Sequence, residues 1–122
     1  MKNQTYRMTM LFDFYGELLT DRQKEFFDLY YNEDLSLSEI AENAGITRQG
    51  VRDAIKRAEA QLLEMEDRLG LARRFRDMQA GLADISVAAA EIQEINLHTG
   101  VSREIELRVE KIRSLAARLA AD

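Results

Sequence analysis

The stretch Ser36 to Ala58, SLSEIAENAGITRQGVRDAIKRA, decides how this chain folds. Ser36 followed by Glu39 has capping-box spacing: hydroxyl and carboxylate reciprocally satisfy free N–H groups where a helix opens. That helix is short, passing through Ile40 and Ala41 to Asn43, because Gly45 stands where a left-handed residue turns the chain. Thr47 then supplies the oxygen that caps a second helix, whose Val51 and Ala54 face inward. A bulky side chain at Ala41 would hold the two helices apart, and a Cβ at Gly45 would strain the turn. Caps, turn and both inward faces agree on a helix-turn-helix.

Working outward, the second helix of this unit is long. Val51, Ala54, Ile55, Ala58, Leu62, Met65 and Leu69 hold one face over several turns, with Gly70 as the first interruption. Upstream, Met8, Leu11, Phe12, Tyr15, Leu18 and Leu19 recur at three- and four-residue steps and predict one face of a helix. Thr20 with Gln23 predicts a second capping box, opening a helix whose Phe26, Phe27, Tyr30 and Tyr31 build the core. Base stacking is a poor use for these aromatics, since Glu25, Asp28, Glu33 and Asp34 interleave them and would repel phosphates. Downstream of Arg76 the aromatics disappear. Met78, Leu82, Ile85, Ala89 and Ile92, then Ile105, Val109, Ile112, Ala116 and Leu119, follow heptad-like steps around a turn at His98-Thr99-Gly100, capped by Thr99 or Ser102. This predicts a helical hairpin that packs back on the core or pairs with another copy of the chain. The organisation expected is a helix-turn-helix domain over 1–75 and a helical extension over 76–122, with a homodimer one possible use of the tail.

Composition agrees. No Pro and 6 Gly among 122 residues leave few helix breakers, so the chain reads as all-α. No Cys removes thiolate zinc sites, disulfides and thiolate catalysis, and a single His removes any three-histidine site. His98 near Glu91 and Glu94 does not match the Glu-x-x-His of a di-iron bundle, so no metal is expected. There is no phosphate loop, no nucleophile elbow and no second His for base chemistry, so neither an enzyme nor a cofactor is expected. No apolar run approaches the length of a membrane span, and Met1 to Leu11 lacks a signal-peptide core, which predicts a cytoplasmic protein.

The charge is polarised. The chain carries 22 Asp+Glu against 17 Lys+Arg, for a net −5. Asp13 to Glu42 holds nine acids and two bases, whereas Thr47 to Ala58 holds four bases and one acid, a local balance of +3. In a helix-turn-helix the second helix offers its outward N-terminal residues to the major groove, here Arg48, Gln49, Arg52 and Asp53, followed by Lys56 and Arg57. Arg suits guanine and Gln suits adenine. The plainer alternative is a solvated charged face. A second cluster, Arg68, Arg73, Arg74 and Arg76, is placed at the end of the long helix, where it would contact phosphates or offset the helix dipole. The acidic half repels nucleic acid and would suit a basic protein.

These residues resemble known families. SLSEIAENAGITRQGVRDAIKRAEAQL is similar to region 4 of bacterial sigma factors, which implies the winged-helix-like DNA-binding superfamily without a wing. LFDFYGELLTDRQKEFFDLYYNEDLSLSEIAE resembles the YlxM family more specifically, as do Arg48-Gln49-Gly50-Val51 and Ile55-Lys56-Arg57. The resemblance covers about Tyr6 to Phe75. It implies a small bacterial accessory or regulatory protein of the signal recognition particle pathway, acting on the particle's RNA, its GTPase or DNA, with no catalytic residues. The duplex-reading positions of sigma region 4 fall on Arg48, Gln49, Arg52 and Asp53, while Gly50 leaves a bare patch inside the recognition helix. A dimeric DNA-binding transcriptional regulator is the alternative on the same helix.

Overall fold

The computed structural model describes residues 5–121. Among these the secondary structure is entirely helical: α1 (Thr5–Tyr15), a single 3-10 turn (Gly16–Leu18), α2 (Asp21–Tyr31), α3 (Leu37–Ala44), α4 (Arg48–Leu69), α5 (Leu71–Thr99) and α6 (Arg103–Ala120). The chain divides into two compact units, Met1–Ala72 and Arg73–Asp122.

In the first unit, α1, α2 and α3 pack against α4. The inward face of α4 is Val51, Ile55, Ala58 and Leu62, all fully buried. Against it lie Met8, Leu11 and Tyr15 from α1, Phe26, Phe27, Tyr30 and Tyr31 from α2, and Leu37, Ile40 and Ala41 from α3. The aromatics interlock: Phe12 stacks on Phe27 at 4.6 Å, and Tyr30 meets Tyr31 edge-on at 5.1 Å. Such ring pairs add specificity to an interior otherwise held by burial of apolar surface.

The local signals sit where the sequence puts them. Thr20 Oγ1 accepts from the Gln23 N–H while Gln23 Oε1 accepts from the Thr20 N–H, and Ser36 and Glu39 repeat the exchange. Gly45 (φ 71°) ends α3 in the left-handed region, its N–H bonded to the Ala41 carbonyl at 2.9 Å. Thr47 Oγ1 accepts from the Gly50 N–H and opens α4. Gly70 (φ 63°) ends it.

Three details depart from the sequence reading. The first helix stops at Tyr15 and continues as a 3-10 turn, so Leu18 leaves the buried face and is 66% exposed while Leu19 is buried. The tighter rotation of a 3-10 turn breaks the 3.6-residue register. Secondly, Arg73, Arg74 and Arg76 are not at the end of the long helix. Because α5 restarts immediately after Gly70, they occupy its opening turns, where the dipole disfavours cations, and only Arg68 lies in the last turn of α4. Thirdly, the tail uses only half of each heptad series for its own packing, as described below.

One buried polar junction joins residues far apart in the sequence. Glu66, inside α4, accepts from the Tyr15 hydroxyl at 2.6 Å and the Ala72 N–H at 3.0 Å, while Tyr15 Oη accepts from the Leu71 N–H at 3.0 Å. The pair thereby satisfies two of the free N–H groups that open α5, in place of a side-chain N-cap. Burial first, then the hydrogen bond to Glu66, pushes the Tyr15 hydroxyl pKa upward.

In the second unit, α5 and α6 form an antiparallel hairpin. Gln79 Nε2 donates to the Ala120 carbonyl at 2.8 Å, Arg113 to Gln93 at 2.8 Å, and Asn96 exchanges two hydrogen bonds with Ser102 across the turn. Ser102 caps α6. Ala89, Asn96, Val109 and Ala116 are the buried residues of this contact.

Candidate nucleic-acid interface

Four features fix the outward face of α4. The Thr47 cap sets where the helix starts, Gly45 and the close crossing at Ala41 set its angle to α3, and the stripe Val51, Ile55, Ala58 and Leu62 sets its rotation. With that stripe buried, two adjacent rows face solvent: Arg48, Arg52 and Lys56 at four-residue steps, and Gln49, Asp53 and Arg57 beside them. All six are exposed.

The rows differ chemically. Gln49 Nε2 donates to Asp53 Oδ1 at 2.9 Å, so the two polar residues expected to read bases occupy one another. Arg48, Arg52, Lys56 and Arg57 have no ion-pair partner among the described residues. Like charges four residues apart repel on a bare helix, so a row of three cations is an electrostatic expense that a polyanion would relieve. From Arg48 to Lys56 the row spans about 12 Å at the rise of an α-helix. One strand of a duplex presents a phosphate every ~3.4 Å of axis. The row thus offers a line of positive charge, while the hydrogen bond between Gln49 and Asp53 engages the two residues suited to base edges.

Gly50 flanks the Gln49 row on the side away from Arg48. A Cβ there would come within 3.2 Å of Thr47 Oγ1, the atom that caps the helix, so the glycine keeps the cap tight and leaves the helix surface bare at its start. Arg68, by contrast, is paired with Glu64 at 3.2 Å. His98 Nε2 lies 3.0 Å from Glu94 on exposed surface, and no group of three or more His, Asp or Glu side chains with metal-binding geometry occurs among the described residues. Also among them, no helix is long and apolar enough to cross a membrane.

Residues 2–100 match the model of the UPF0122 family, described as "Putative helix-turn-helix protein, YlxM / p13 like". The chain belongs to this family. It is similar to a UPF0122 protein of Bacillus thuringiensis (strain Al Hakam), 46% identical over 96 residues that cover 79% of this chain and 87% of the relative. A UPF0122 protein of Thermoanaerobacter sp. (strain X514) is 43% identical over 106 residues, covering 81% and 91%. One of Acetivibrio thermocellus is 41% identical over 113 residues, covering 90% and 97%. The family is described by its helix-turn-helix and not by a reaction. Its match ends at the α5–α6 turn, so α6 lies beyond it.

Proposed function

We propose that this YlxM-like protein is a non-enzymatic regulatory or accessory factor that grips nucleic acid through Arg48, Arg52, Lys56 and Arg57, with Gln49 at the edge of the contact. The observation that carries this reading is the unpaired cationic row on the exposed face of α4, in a chain whose other half is acidic. A merely solvated face would be expected to interleave acids with bases, as α6 does. The Gln49–Asp53 hydrogen bond favours contact with phosphates and helical shape over a base-by-base code. Structured RNA fits that mode, because its deep major groove hides base edges and leaves backbone and shape to be recognised. The resemblance to the YlxM family supports, as part of this proposal, a role in cytoplasmic protein targeting, on the signal recognition particle's RNA and beside its GTPase.

The second reading is a dimeric regulator on duplex DNA, supported by the sigma-region-4-like order of caps, turn and recognition helix; it requires paired half-sites. Fluorescence-anisotropy titrations of the whole protein against signal recognition particle RNA and a random DNA duplex, each at two salt concentrations, separate the readings. Tighter, salt-dependent RNA binding supports targeting. A preference for DNA supports the regulator. Binding to neither defeats both and leaves the acidic α1–α3 surface as a protein-docking face.

A further inference from the structure

The hairpin of α5 and α6 has two apolar faces and uses one. Leu82 and Ala89 of α5, with Val109 and Ala116 of α6, turn inward along the contact between the helices. The alternate members of the same heptad-like series do not. Met78, Ile85 and Ile92 on α5 and Ile105, Ile112 and Leu119 on α6 remain 40–60% exposed. In the antiparallel register set by Gln79 with Ala120 and Asn96 with Ser102, they fall into three cross-helix rungs: Met78 with Leu119, Ile85 with Ile112, and Ile92 with Ile105. Each rung is seven residues from the next on both helices, so all three lie on one side of the hairpin.

We propose that this side is the seat of a second copy of the chain, the two hairpins closing into an antiparallel four-helix bundle with α5 of each copy on α6 of the other. Three arguments select this occupant. The first is shape. A twofold axis parallel to the helices sets each rung level with a rung of the other copy, so three apolar layers meet without a shift in register.

The second is charge. The outer flank of the rungs is acidic on α5 (Asp77, Asp84, Glu91) and mainly basic on α6 (Glu104, Lys111, Arg118). Laying α5 on the other copy's α6 brings Asp77 level with Arg118 and Asp84 level with Lys111. Glu91 opposite Glu104 is the one like-charged level. Laying α5 on α5 would set acid against acid at every level. Arg108, the single charge between the rungs of α6, is turned back along its own helix to the Glu104 carbonyl at 3.2 Å.

The third is area. With Ile95 (60% exposed) and Leu115 (37%) at its edges, the face gathers eight large, partly exposed apolar side chains, and a stable interface buries about 800 Å² per partner. A monomer seldom leaves so much contiguous apolar surface in water. The inference is independent of nucleic-acid binding, since it uses no residue of α4.

Sedimentation velocity and light scattering on the whole protein over a wide concentration range test it. A dimer mass is expected. Ile85→Glu with Ile112→Glu should weaken association about 100-fold or more, given the apolar burial lost in both copies, while far-UV circular dichroism and the α4 surface stay unchanged. A subtler pair guards against misfolding. Asp84→Lys should weaken the dimer, and adding Lys111→Asp should restore it, because the exchange recreates the pair with its sign reversed. A monomer at all concentrations would overturn the proposal. So would a dimer indifferent to Ile85→Glu with Ile112→Glu, or a double charge exchange that fails to rescue association.

Discussion

Reversing two charges on α4, Arg52→Glu with Arg57→Glu, tests whether the cationic face binds a polyanion, and the structure sets the size of the effect. Four unpaired cations, Arg48, Arg52, Lys56 and Arg57, are available on the exposed face. If each neutralises one phosphate of a duplex, the logarithm of the association constant falls with that of salt at a slope near −3.6, at about −0.9 per contact. Raising salt from about 50 to 200 mM should then weaken the parent protein roughly 150-fold. The variant keeps two contacts at most, so its slope should be no steeper than about −1.8 and its loss over the same interval about 12-fold. The fold should tolerate the change, because both side chains are exposed and surface substitutions away from caps and core cost little. Reversal at 52 also relieves like-charge neighbours at 48 and 56, offsetting the favourable Asp53–Arg57 spacing lost at 57. The assay is fluorescence anisotropy at four salt concentrations, with thermal melting monitored in parallel. An unchanged slope at unchanged melting temperature would refute the assignment of these four residues and move binding, if any, to another surface.

Other expectations bear on the scaffold. Gly45→Ala should destabilise the first unit by about 1–2 kcal/mol, seen as a lower melting temperature, because the φ of 71° disfavours a Cβ although no atom lies within 4 Å to clash. Tyr15→Phe removes the hydroxyl shared by Glu66 and Leu71 and should cost about 1–3 kcal/mol in urea unfolding. The same variant should change the alkaline limb: with the folded pKa raised, Tyr15 contributes fully below its ordinary value and loses its contribution as pH climbs through the raised one. A parent protein no more alkali-sensitive than Tyr15→Phe would contradict this. On the acid side, hydrogen bonds from Ser36 hold the Glu39 carboxyl below its usual range. Its contribution is present above the unfolded pKa and is lost as pH falls through the depressed one, so Glu39→Gln should flatten the dependence of melting temperature on pH between about 5 and 3.

What the sequence disclosed, and what it withheld, follows from the range of the forces involved. Thr20 with Gln23, Ser36 with Glu39, Gly45, Thr47 and Gly70 act within four residues along the chain, and each could be read from its neighbours alone. The inward stripe of α4 was legible for a related reason: a fully buried helix face leaves one period and no competing one. The Tyr15–Glu66 junction was not legible, because it joins residues 51 apart through a tyrosine that the apolar pattern had already assigned to the core. Leu18 misled because a single 3-10 turn rotates the chain off the helical period without any proline or glycine pair to announce it beyond Gly16.

The tail is the instructive case. Its four-three spacing is genuine, but the series Met78, Leu82, Ile85, Ala89, Ile92 alternates between two neighbouring stripes about fifty degrees apart around the helix. The contact with α6 centres on the other flank of Leu82 and Ala89, where Gln79, Ser86 and Gln93 are partly buried, and so leaves Met78, Ile85 and Ile92 about half exposed. Periodicity therefore reports how much apolar surface a helix must hide, and cannot say whether its own chain has enough helices to hide it. Here two helices leave part of that surface open, and the proposed four-helix arrangement would close it. The face left over is therefore as much a consequence of the sequence as the core is, and the proposed second copy would cover it.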